Sequence, residues 1–493
     1  MTGAPIRRLL VANRGEIAAR ILRTARAQGL ECAIVRHPSE EGGLAPQLAD
    51  AVLPIDGATP VAAYLDVAEI VRVAREWGAD AVHPGYGFLS ENARLARGLA
   101  EAGIRFVGPT PEVIDLMGDK IRARNFVVER GFPVAPSAIE EDDPASFTQR
   151  ALAVGLPILI KPAAGGGGKG MRIVRDAAVL ETELATARRE GERYFGDGRL
   201  FVERYVERPR HIEVQVFGDS HGNVVHFGER ECSVQRRFQK IIEETPSPAL
   251  TPDKRAEICE AAIGIARAAG YVGAGTVEFI YGAGGEFYFL EMNTRLQVEH
   301  PVTEMVTGFD LVAEQLRVCA GEALGYPQSG ITTQGHAIEL RICAEDPSRG
   351  FVPATGTIHL LREASGPGVR VDSGIHQGQR VGADFDPLLS KLIVHGRDRR
   401  EAIARARQAL RDTALLGVTT NTAYLDRVLG HPQFAAGDYS TAFLDEQAEV
   451  LSGKDEVLSL DLLMAAAALS DRQLVDAAAS VPAIYAAMGS WRN

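Results

Sequence analysis

Three oxygen-bearing side chains follow one another along a predicted β-hairpin. Its two strands, TVEFIY and EFYFLEMN, are joined by the four-residue turn GAGG. If the turn pairs Tyr281 with Glu286, then Glu278 and Glu291 lie one diagonal step apart on one face, and Asn293 shares that face. Mg²⁺ prefers such oxygen ligands, whereas two acids among aromatic residues would otherwise be unfavourable to bury. The hairpin therefore predicts a divalent-metal site, and the alternative is a solvated face.

The residues after this hairpin could bind and deprotonate a small oxyanion. In an extended segment, Arg295, Gln297 and Glu299 alternate onto one face. A cation, an amide donor and a carboxylate side by side could hold bicarbonate and take a proton from a neighbour. Two further stretches supply cations: ECSVQRRFQKIIEE contains Arg236, Arg237 and Lys240, and HAIELRICAED contains Arg341. Taken singly, each basic residue is more often a solvated surface charge than a site residue. The prediction therefore depends on the joint presence of these basic residues.

A run of glycines could cover a phosphate group. The stretch AAGGGGKGMRIV, residues 163–174, places this run between two predicted strands. A dinucleotide-binding fingerprint would need a helix after the glycines, and a P-loop would need Ser or Thr where Gly170 follows Lys169. Two readings remain: a flap whose bare N–H groups close over nucleotide phosphates, or a solvated hairpin tip. Lys161 on the entering strand favours the flap.

The elements that must position these residues begin with a doubly wound domain. The sequence RRLLVANRGEIAARILRTARAQGLECAIVR reads as strand, turn, helix and strand, with Ile17, Ile21 and Leu22 at helical spacing. The segments ADAVHPGYGFLSEN and GIRFVGPT continue the alternation of strand and helix. Such alternation is typical of a parallel sheet with helices on both faces, as in Rossmann-like domains.

The sequence divides into five segments. We expect an N-terminal doubly wound α/β domain over residues 1–118, a linker over 119–136, and a small mobile lid domain with the glycine flap over 137–205. A strand-rich C-terminal catalytic domain with a mixed sheet follows over 206–447, and an Ala-rich helical extension over 448–493. The predicted fold class is therefore α/β and α+β.

Composition argues against several classes of function. The 493 residues carry a formal net charge of −12, whereas a general nucleic-acid binder normally has a basic face. No stretch reaches the roughly 18 consecutive apolar residues of a membrane span. The five cysteines are widely spaced and predict neither a zinc site nor a disulfide framework. We therefore expect a cytoplasmic protein without a membrane or nucleic-acid partner.

Eleven motifs run in order from about residue 6 to about residue 445: VANRGEIAARI, HPGYGFLSEN, MGDK, KPAAGGGGKGM, PRHIEVQV, ERECSVQRR, QKIIEE, GTVEFIY, FLEMNTRLQVEHPVTE, ELRICAEDP and DPLLSKL. In this order they resemble biotin carboxylase, the ATP-grasp component of acetyl-CoA, propionyl-CoA and related carboxylases. The resemblance implies an ATP-grasp fold and an ATP-dependent ligase that takes part in processes such as fatty acid biosynthesis. The combination of EMNTRLQVEHPVTE with NRGEIA is highly specific, whereas the glycine run alone is not.

The resemblance also implies which residues bind the nucleotide and the metal. ATP would be held by Lys120 and Lys161 and by the flap residues Gly166, Gly167, Gly168 and Met171. The adenine or ribose would lie near Glu203, His211 and Gln235. Mg²⁺ or Mn²⁺ would be bound by Glu278, Glu291 and Asn293.

The same resemblance implies how the carboxyl group is transferred. Bicarbonate would be held by Lys240, Arg295, Gln297 and the backbone at Val298, with Glu299 as the base. Its attack on the γ-phosphate of ATP gives carboxyphosphate, which breaks down to CO₂ and phosphate. The phosphate then takes the N1′ proton of biotin, and Arg341 stabilises the biotin enolate.

The partners follow from the same resemblance and from one absence. The sequence contains no Ala-Met-Lys-Met acceptor motif for biotin. We therefore expect biotin to be presented by a separate carrier protein or domain, or the chain to be part of a longer α subunit. A carboxyltransferase subunit would take the carboxyl group onward, and the family is usually a homodimer. Phe238 stands where many members have a polar residue, often His, and its side chain has no group for a polar contact there.

Two other functions compete with this interpretation. A carbamoyl-phosphate-type ATP-grasp ligase would share the flap and the metal hairpin but would not depend on biotin. A nucleotide-sensing or scaffolding protein on a degenerate fold would need neither base nor enolate stabiliser. The joint presence of Lys240, Arg295, Glu299 and Arg341 argues against the scaffold.

Overall fold

The N-terminal region folds around a five-stranded parallel sheet. The computed structural model of the chain describes residues 5–40, 42–140, 143–163 and 170–453. The elements of the N-terminal region are β1 (Arg8–Val11), α1 (Gly15–Ala27), β2 (Glu31–Arg36), α2 (Leu44–Leu48), β3 (Ala51–Pro54), α3 (Pro60–Tyr64), α4 (Val67–Trp77), β4 (Ala81–His83), α5 (Ala93–Glu101), β5 (Arg105–Phe106), α6 (Pro111–Gly118) and α7 (Lys120–Glu129). The strand order β3-β2-β1-β4-β5 is that of a doubly wound sheet.

The residues of β1 and α1 show that the five-stranded sheet is covered on both faces. Leu9, Leu10 and Val11 of β1 have no exposed surface, as expected for a parallel strand buried on both sides. The helical spacing noted in α1 is confirmed, because Ile17, Ile21 and Leu22 are all at most 2% exposed. These three side chains pack α1 against the sheet.

A four-stranded antiparallel sheet follows. Its elements are β6 (Ser137–Ile139), α8 (Phe147–Ala153), β7 (Ile158–Pro162), β8 (Arg172–Val174), α9 (Leu180–Phe195) and β9 (Leu200–Arg204). The strand order is β6-β9-β7-β8, and β7 pairs antiparallel with β8 on either side of the glycine run. Phe147 of α8 and Leu180 and Leu184 of α9 pack on this sheet. The strands that flank the glycine run thus form the predicted hairpin.

An eight-stranded sheet follows in the described chain. Its elements are β10 (Arg210–Gly218), β11 (Val224–Arg236), β12 (Gln239–Thr245), α10 (Pro252–Ala268), β13 (Gly273–Tyr281), β14 (Phe287–Asn293), α11 (His300–Thr307), α12 (Leu311–Cys319), β15 (His336–Cys343), β20 (Val369–Ser373) and β22 (Leu388–Gly396). The order β14-β13-β10-β11-β12-β15-β22-β20 joins neighbouring strands in antiparallel pairs. Val134 adds a parallel bridge to Phe289 at the β14 edge.

Short strands and helices complete the C-terminal region. They are β16 (Glu345–Asp346), β17 (Val352–Pro353), β18 (Gly356–Thr357), β19 (Leu360–Arg362), β21 (Arg380–Val381), α13 (Arg399–Asp412), β23 (Ala414–Leu416), α14 (Thr422–Gly430), α15 (Pro432–Ala436), α16 (Phe443–Glu446) and α17 (Ala448–Leu451). The predicted extension, 448–493, begins with α17, and from residue 454 onward it lies outside the described residues. Among the helices that the structure describes, none is both long and apolar enough to cross a lipid bilayer.

Candidate active site

The predicted site residues line one cavity. It has a volume of about 540 Å³ and is bordered by the four-stranded and eight-stranded sheets. Fifteen of the predicted residues contribute to its wall: Lys120, Lys161, Met171, Glu203, His211, Gln235, Lys240, Glu278, Glu291, Asn293, Arg295, Gln297, Val298, Glu299 and Arg341. The three predicted flap glycines, Gly166, Gly167 and Gly168, lie outside the described residues. Residues from widely separated stretches of the sequence are therefore brought together around one space.

The β13–β14 hairpin has a different register from the one expected. Tyr281 pairs with Phe287 rather than with Glu286, whose carbonyl accepts a hydrogen bond from Gly282 within the turn. A bulge between Glu278 and Phe279 then brings Glu278 directly opposite Glu291. The diagonal arrangement was therefore wrong, because an extra turn residue and a bulge each shift the pairing. The correction places the two carboxylates closer together than expected.

The Glu278 carboxylate is saturated with hydrogen-bond donors. Its Oε1 accepts from Lys240 Nζ at 3.0 Å, Asn293 Nδ2 at 2.8 Å and Gln297 Nε2 at 3.1 Å. Its Oε2 lies 2.8 Å from His211 Nε2. Burial alone would raise the pKa of Glu278, but Lys240 and His211 hold it well below its usual value. The carboxylate is therefore ionised, and its oxygens are of the type that a hard cation prefers.

The second carboxylate of the hairpin is more open. The Glu291 side chain is 39% exposed and lies 3.8 Å from Lys120 Nζ. Lys120 begins α7, where the carboxylate of Asp119 caps the helix by accepting from the backbone N–H of Arg122. With Asn293 two residues along β14, the hairpin offers carboxylate and amide oxygens on opposed strands. This donor set fits a hard divalent cation such as Mg²⁺.

Two of the residues predicted to bind the nucleotide pair with each other across the four-stranded sheet. Lys161 Nζ of β7 donates to Glu203 Oε2 of β9, and both side chains are at most 14% exposed. Lys161 also lies 5.7 Å from the centre of the Phe201 ring. The lysine is thus held at the cavity wall, where a phosphate could replace the carboxylate as its partner.

His211 lies with the acidic groups of the site. Burial would lower the pKa of His211, but the adjacent Glu278 raises it above its usual value.

Gln235, near the end of β11, pairs in register with Lys240 of β12. Between these strands the two-residue turn Arg237-Phe238 has positive φ at both residues, and the Phe238 side chain is exposed at the cavity rim.

Lys240 connects three buried carboxylates. Its Nζ lies 2.5 Å from Glu213 Oε2, 3.0 Å from Glu278 Oε1 and 2.6 Å from Glu299 Oε1. Burial alone would lower the pKa of Lys240, but the acidic groups around it hold the pKa well above its usual value. Lys240 is therefore a fixed positive charge at the centre of the site.

Glu299 lies between two cations. Its Oε1 accepts from Lys240, and its Oε2 accepts from Arg341 Nη2 at 3.0 Å. The residue is 1% exposed, and burial alone would raise its pKa. Lys240, Arg341 and Arg230 instead hold the pKa of Glu299 well below its usual value. The carboxylate is ionised and can accept a proton.

The remaining predicted residues complete this wall. Arg295 Nη1 donates to Gln297 Oε1 at 2.5 Å and Arg295 Nη2 to Asn293 Oδ1 at 3.1 Å. The backbone carbonyl of Val298 accepts from Lys391 Nζ at 2.7 Å. The extended segment expected over Arg295, Gln297 and Glu299 is not found, because the chain makes a bend at Arg295 and a turn at residues 298–299 after β14. The side chains nevertheless reach the same cavity.

Several residues of the site were not predicted from the sequence. Glu91 Oε2 accepts from Arg295 Nε at 2.9 Å, and Glu243 Oε1 accepts from Arg341 Nε at 2.6 Å. Glu213 of β10 pairs in register with Arg230 of β11, and both are fully buried. Charged residues that alternate with apolar ones on a strand, as in HIEVQV, were the available signal. The partners themselves depend on tertiary packing.

Three family models match the chain in succession. They are the biotin carboxylase N-terminal domain over residues 5–114, the carbamoyl-phosphate synthase L chain ATP-binding domain over 119–326, and the biotin carboxylase C-terminal domain over 339–446. The biotin carboxylase of Nostoc sp. is 45% identical over 441 residues, which cover 89% of this chain and 98% of that protein. The chain belongs to the biotin carboxylase family. This family consists of ATP-dependent ligases, and the fold class expected from the sequence is confirmed.

Two further relatives show the range of proteins that contain this module. The biotin carboxylase domain of 2-oxoglutarate carboxylase from Hydrogenobacter thermophilus, solved as a dimer with MgADP, ADP and bicarbonate, matches with a TM-score of 0.88. It is 42% identical, and the match covers 92% of this chain and all of that one. The mouse mitochondrial methylcrotonoyl-CoA carboxylase subunit alpha is 44% identical over 446 residues, 90% of this chain. The match spans 62% of that relative's length.

Proposed function

We propose that the chain is a biotin carboxylase that uses ATP, Mg²⁺ and bicarbonate to carboxylate biotin at N1′. The observation that carries the proposal is the position of Glu299, ionised and buried between Lys240 and Arg341. The same cavity contains the hairpin carboxylates Glu278 and Glu291. The residues proposed as the base, the anion-binding cation, the cation for the enolate and the metal ligands thus line one cavity.

The cations near Glu299 suit the binding and deprotonation of bicarbonate. Lys240 and Arg295, with the amide of Gln297 and the backbone at Val298, supply donors for its oxygens. An anion that enters beside Glu299 raises the pKa of this carboxylate by repulsion, which makes it a better base than in the resting site. The proton of bicarbonate then moves to Glu299, and the deprotonated oxygen attacks the γ-phosphate of ATP to give carboxyphosphate.

The opposite side of the cavity suits the metal and the phosphates. Glu278, Glu291 and Asn293 would hold Mg²⁺ or Mn²⁺, which would supply positive charge to neutralise the phosphates during phosphoryl transfer. Lys120 and Lys161 are each paired with a carboxylate at the cavity wall, and we infer that each exchanges this partner for a phosphate oxygen. Positioning and charge neutralisation are the main requirements of this step.

We infer that the nucleotide lies along the same wall. Glu203, His211 and Gln235 are proposed to lie near the adenine or ribose, and Met171 beside the flap. The flap glycines Gly166, Gly167 and Gly168 are proposed on sequence alone to cover the phosphates. Closure of such a flap would protect carboxyphosphate from water.

The biotin step is assigned to Arg341. Carboxyphosphate breaks down to CO₂ and phosphate, and the phosphate takes the proton from N1′ of biotin. The guanidinium of Arg341 stabilises the enolate that forms, because a fixed cation next to a developing oxyanion lowers the barrier. Burial would lower the pKa of Arg341, but Glu243 and Glu299 raise it, so the cation is permanent.

Partners and location are proposed from the relatives. Methylcrotonoyl-CoA carboxylase subunit alpha is among them, and we propose that this chain serves an acetyl-CoA or other acyl-CoA carboxylase, as in fatty acid biosynthesis, with a biotin carrier and a carboxyltransferase. The dimeric solved relative supports a homodimer. All five cysteines are unpaired, which fits a reducing compartment such as the cytoplasm.

The division into domains is proposed as predicted. The five-stranded sheet falls within residues 1–118, and the four-stranded sheet spans 137–204, in agreement with a lid at 137–205. The eight-stranded sheet falls within 206–447. A linker at 119–136 would then consist mainly of α7, which carries Lys120. Limited proteolysis with and without nucleotide tests these boundaries.

The experiment that tests the function is ATP hydrolysis with bicarbonate, in the presence and absence of free biotin. A biotin carboxylase should hydrolyse ATP faster when biotin is added, because biotin consumes the CO₂ formed. A carbamoyl-phosphate-type ligase shares the ATP-binding model over residues 119–326, but its rate should be indifferent to biotin. Indifference to biotin would overturn the proposal, and the absence of ATP hydrolysis would favour a nucleotide-sensing or scaffolding protein.

A further inference from the structure

Two buried glutamates face each other behind the cation that we assign to the biotin enolate. Glu243 of β12 and Glu339 of β15 are direct partners in the antiparallel ladder. Both residues have no exposed surface. The Cβ atoms of directly paired residues lie about 4.5–5.5 Å apart, and their side chains project from the same face of the sheet. Two carboxyl groups are therefore neighbours in the interior.

The hydrogen bonds of this pair are incomplete. Glu243 Oε1 accepts from Arg341 Nε at 2.6 Å. In the part of the chain that the structure describes, Glu243 Oε2 and both carboxyl oxygens of Glu339 have no hydrogen-bond partner. Buried polar atoms without a partner are unfavourable, and two ionised carboxylates side by side repel each other. One proton held between the two carboxyl groups removes both problems.

Nearby cations are already engaged by other acceptors. Lys391 of β22 is the cation that acts most strongly on Glu339, but Lys391 Nζ donates to the Val298 carbonyl at 2.7 Å and lies 3.2 Å from Glu16. Within the described residues, no ion pair of 4.0 Å or less involves Glu339. Neutralisation by a proton is therefore the remaining way to bury this side chain.

The other charged groups around the pair come from four elements. β12 contributes Lys240, β15 contributes Arg341, β22 contributes Lys391, and Glu299 precedes α11. On α11, His300 is neutral because burial holds its pKa well below the usual value, and Glu304 is bonded to Arg20 and Arg370. Burial raises the pKa of Glu243 to about 7 against the opposing effect of Arg341. Burial and the neighbouring Glu243 hold the pKa of Glu339 well above its usual value, despite Lys391.

We propose that Glu339 carries a proton at neutral pH and donates it to Glu243, and that this bond fixes Glu243 and thereby the guanidinium of Arg341. Glu339 is then a positioning residue, since it acts on the biotin step only through Glu243 and Arg341. The pair bears one negative charge instead of two, so less negative charge surrounds the Arg341 guanidinium, which Glu299 also contacts. The positioning role rests on the proposed function, whereas the shared proton does not.

The shared proton is tested by infrared difference spectroscopy of the full chain. At neutral pH the wild-type protein should show a C=O stretching band of a protonated carboxyl group that Glu339→Gln lacks. This band should disappear on titration to alkaline pH. The matched control Glu286→Gln, at an exposed turn position, should leave the band unchanged. Identical protonated-carboxyl bands in wild type and Glu339→Gln would overturn the proposal.

The positioning role is tested by kinetics of biotin-dependent ATP hydrolysis. Glutamine retains a donor for Glu243 but cannot lose a proton, so Glu339→Gln should keep the rate at neutral pH and should lack the alkaline decline of the wild type. Glu339→Ala removes the donor and should lower the biotin-dependent rate by about tenfold, the equivalent of one charge-assisted hydrogen bond. A wild-type pH profile in Glu339→Gln would contradict the role. If wild type itself shows no response to biotin, the proposed function fails, and the infrared result still decides the shared proton.

Discussion

Replacement of Glu91 by glutamine should weaken bicarbonate binding with little change in the rate at saturation. Glu91 Oε2 accepts from Arg295 Nε at 2.9 Å, and Oε1 accepts from the backbone N–H of Thr294 at 2.9 Å. Glutamine retains an oxygen acceptor for one of these donors but removes the negative charge that holds the Arg295 guanidinium. Arg295 would then be less well ordered where the anion binds.

The size of the effect follows from the exposure of the pair. A buried charge-assisted hydrogen bond contributes about 1.5–3 kcal/mol. The Glu91 side chain is 39% exposed and that of Arg295 is 19% exposed, so solvent screening reduces this contribution. We expect about 1 kcal/mol, which corresponds to roughly a fivefold increase in the KM for bicarbonate.

The assay is a bicarbonate titration of biotin-dependent ATP hydrolysis in buffers freed of dissolved CO₂. Glu91→Gln should raise KM about fivefold with kcat within about twofold of wild type, as for lost uniform binding. Glu91→Ala should raise KM further, because the Thr294 N–H also loses its acceptor. Glu76→Gln, at a glutamate that is 58% exposed and paired with Arg72 on α4, is the control. An unchanged KM in Glu91→Ala would refute the reasoning.

Three further predictions concern the acidic and basic groups of the core and the metal hairpin. Arg230→Leu should lower the free energy of unfolding in urea by about 3–5 kcal/mol, because the fully buried Glu213 carboxylate loses a cation. Arg397→Leu, at a side chain that is 79% exposed, should change it by less than about 0.5 kcal/mol, and equal effects would refute the assignment. Burial would raise the pKa of Glu244, but hydrogen bonds with His336 and Arg399 lower it from 4.5 to about 2, so the carboxylate stabilises the fold above pH 4.5. The difference in stability between wild type and Glu244→Gln should therefore shrink as the pH falls toward 2, and a growing difference would contradict this sign. Glu291→Gln should raise the Mg²⁺ concentration for half-maximal ATP hydrolysis by about tenfold, and unaltered Mg²⁺ dependence would remove this residue from the metal site.

Local sequence patterns predicted the elements but not the details of their pairing. Alternating apolar residues located β13 and β14, and helical spacing located α1. The register of the hairpin was wrong, because Glu286 belongs to the turn and a bulge follows Glu278. Both features depend on how the turn closes and how the sheet twists, which period-two alternation does not encode.

The same distinction applies to the site. Glu299 and Arg341 were predicted from the residue types that the chemistry needs, whereas Lys240 was singled out among the basic residues of its stretch by the family resemblance. All three side chains line one cavity. Their partners Glu91 and Glu243 lie 204 and 98 positions away from the cations they bind. Such long-range ion pairs are set by the packing of separate sheets and loops, so no single stretch of sequence predicts them. Glu339 was within reach of sequence reasoning, since it shares a strand face with Arg341 two residues later.

The central claim is that Glu299 takes the proton of bicarbonate in a reaction that carboxylates biotin. The most direct test is transfer of isotopically labelled bicarbonate to free biotin with ATP and Mg²⁺, with nucleotide binding measured in parallel. Wild type should form labelled carboxybiotin only when ATP is present, and Glu299→Gln should form none while binding ATP with nearly unchanged affinity. Labelled product at the wild-type rate in Glu299→Gln, or no labelled product from wild type, would contradict the account.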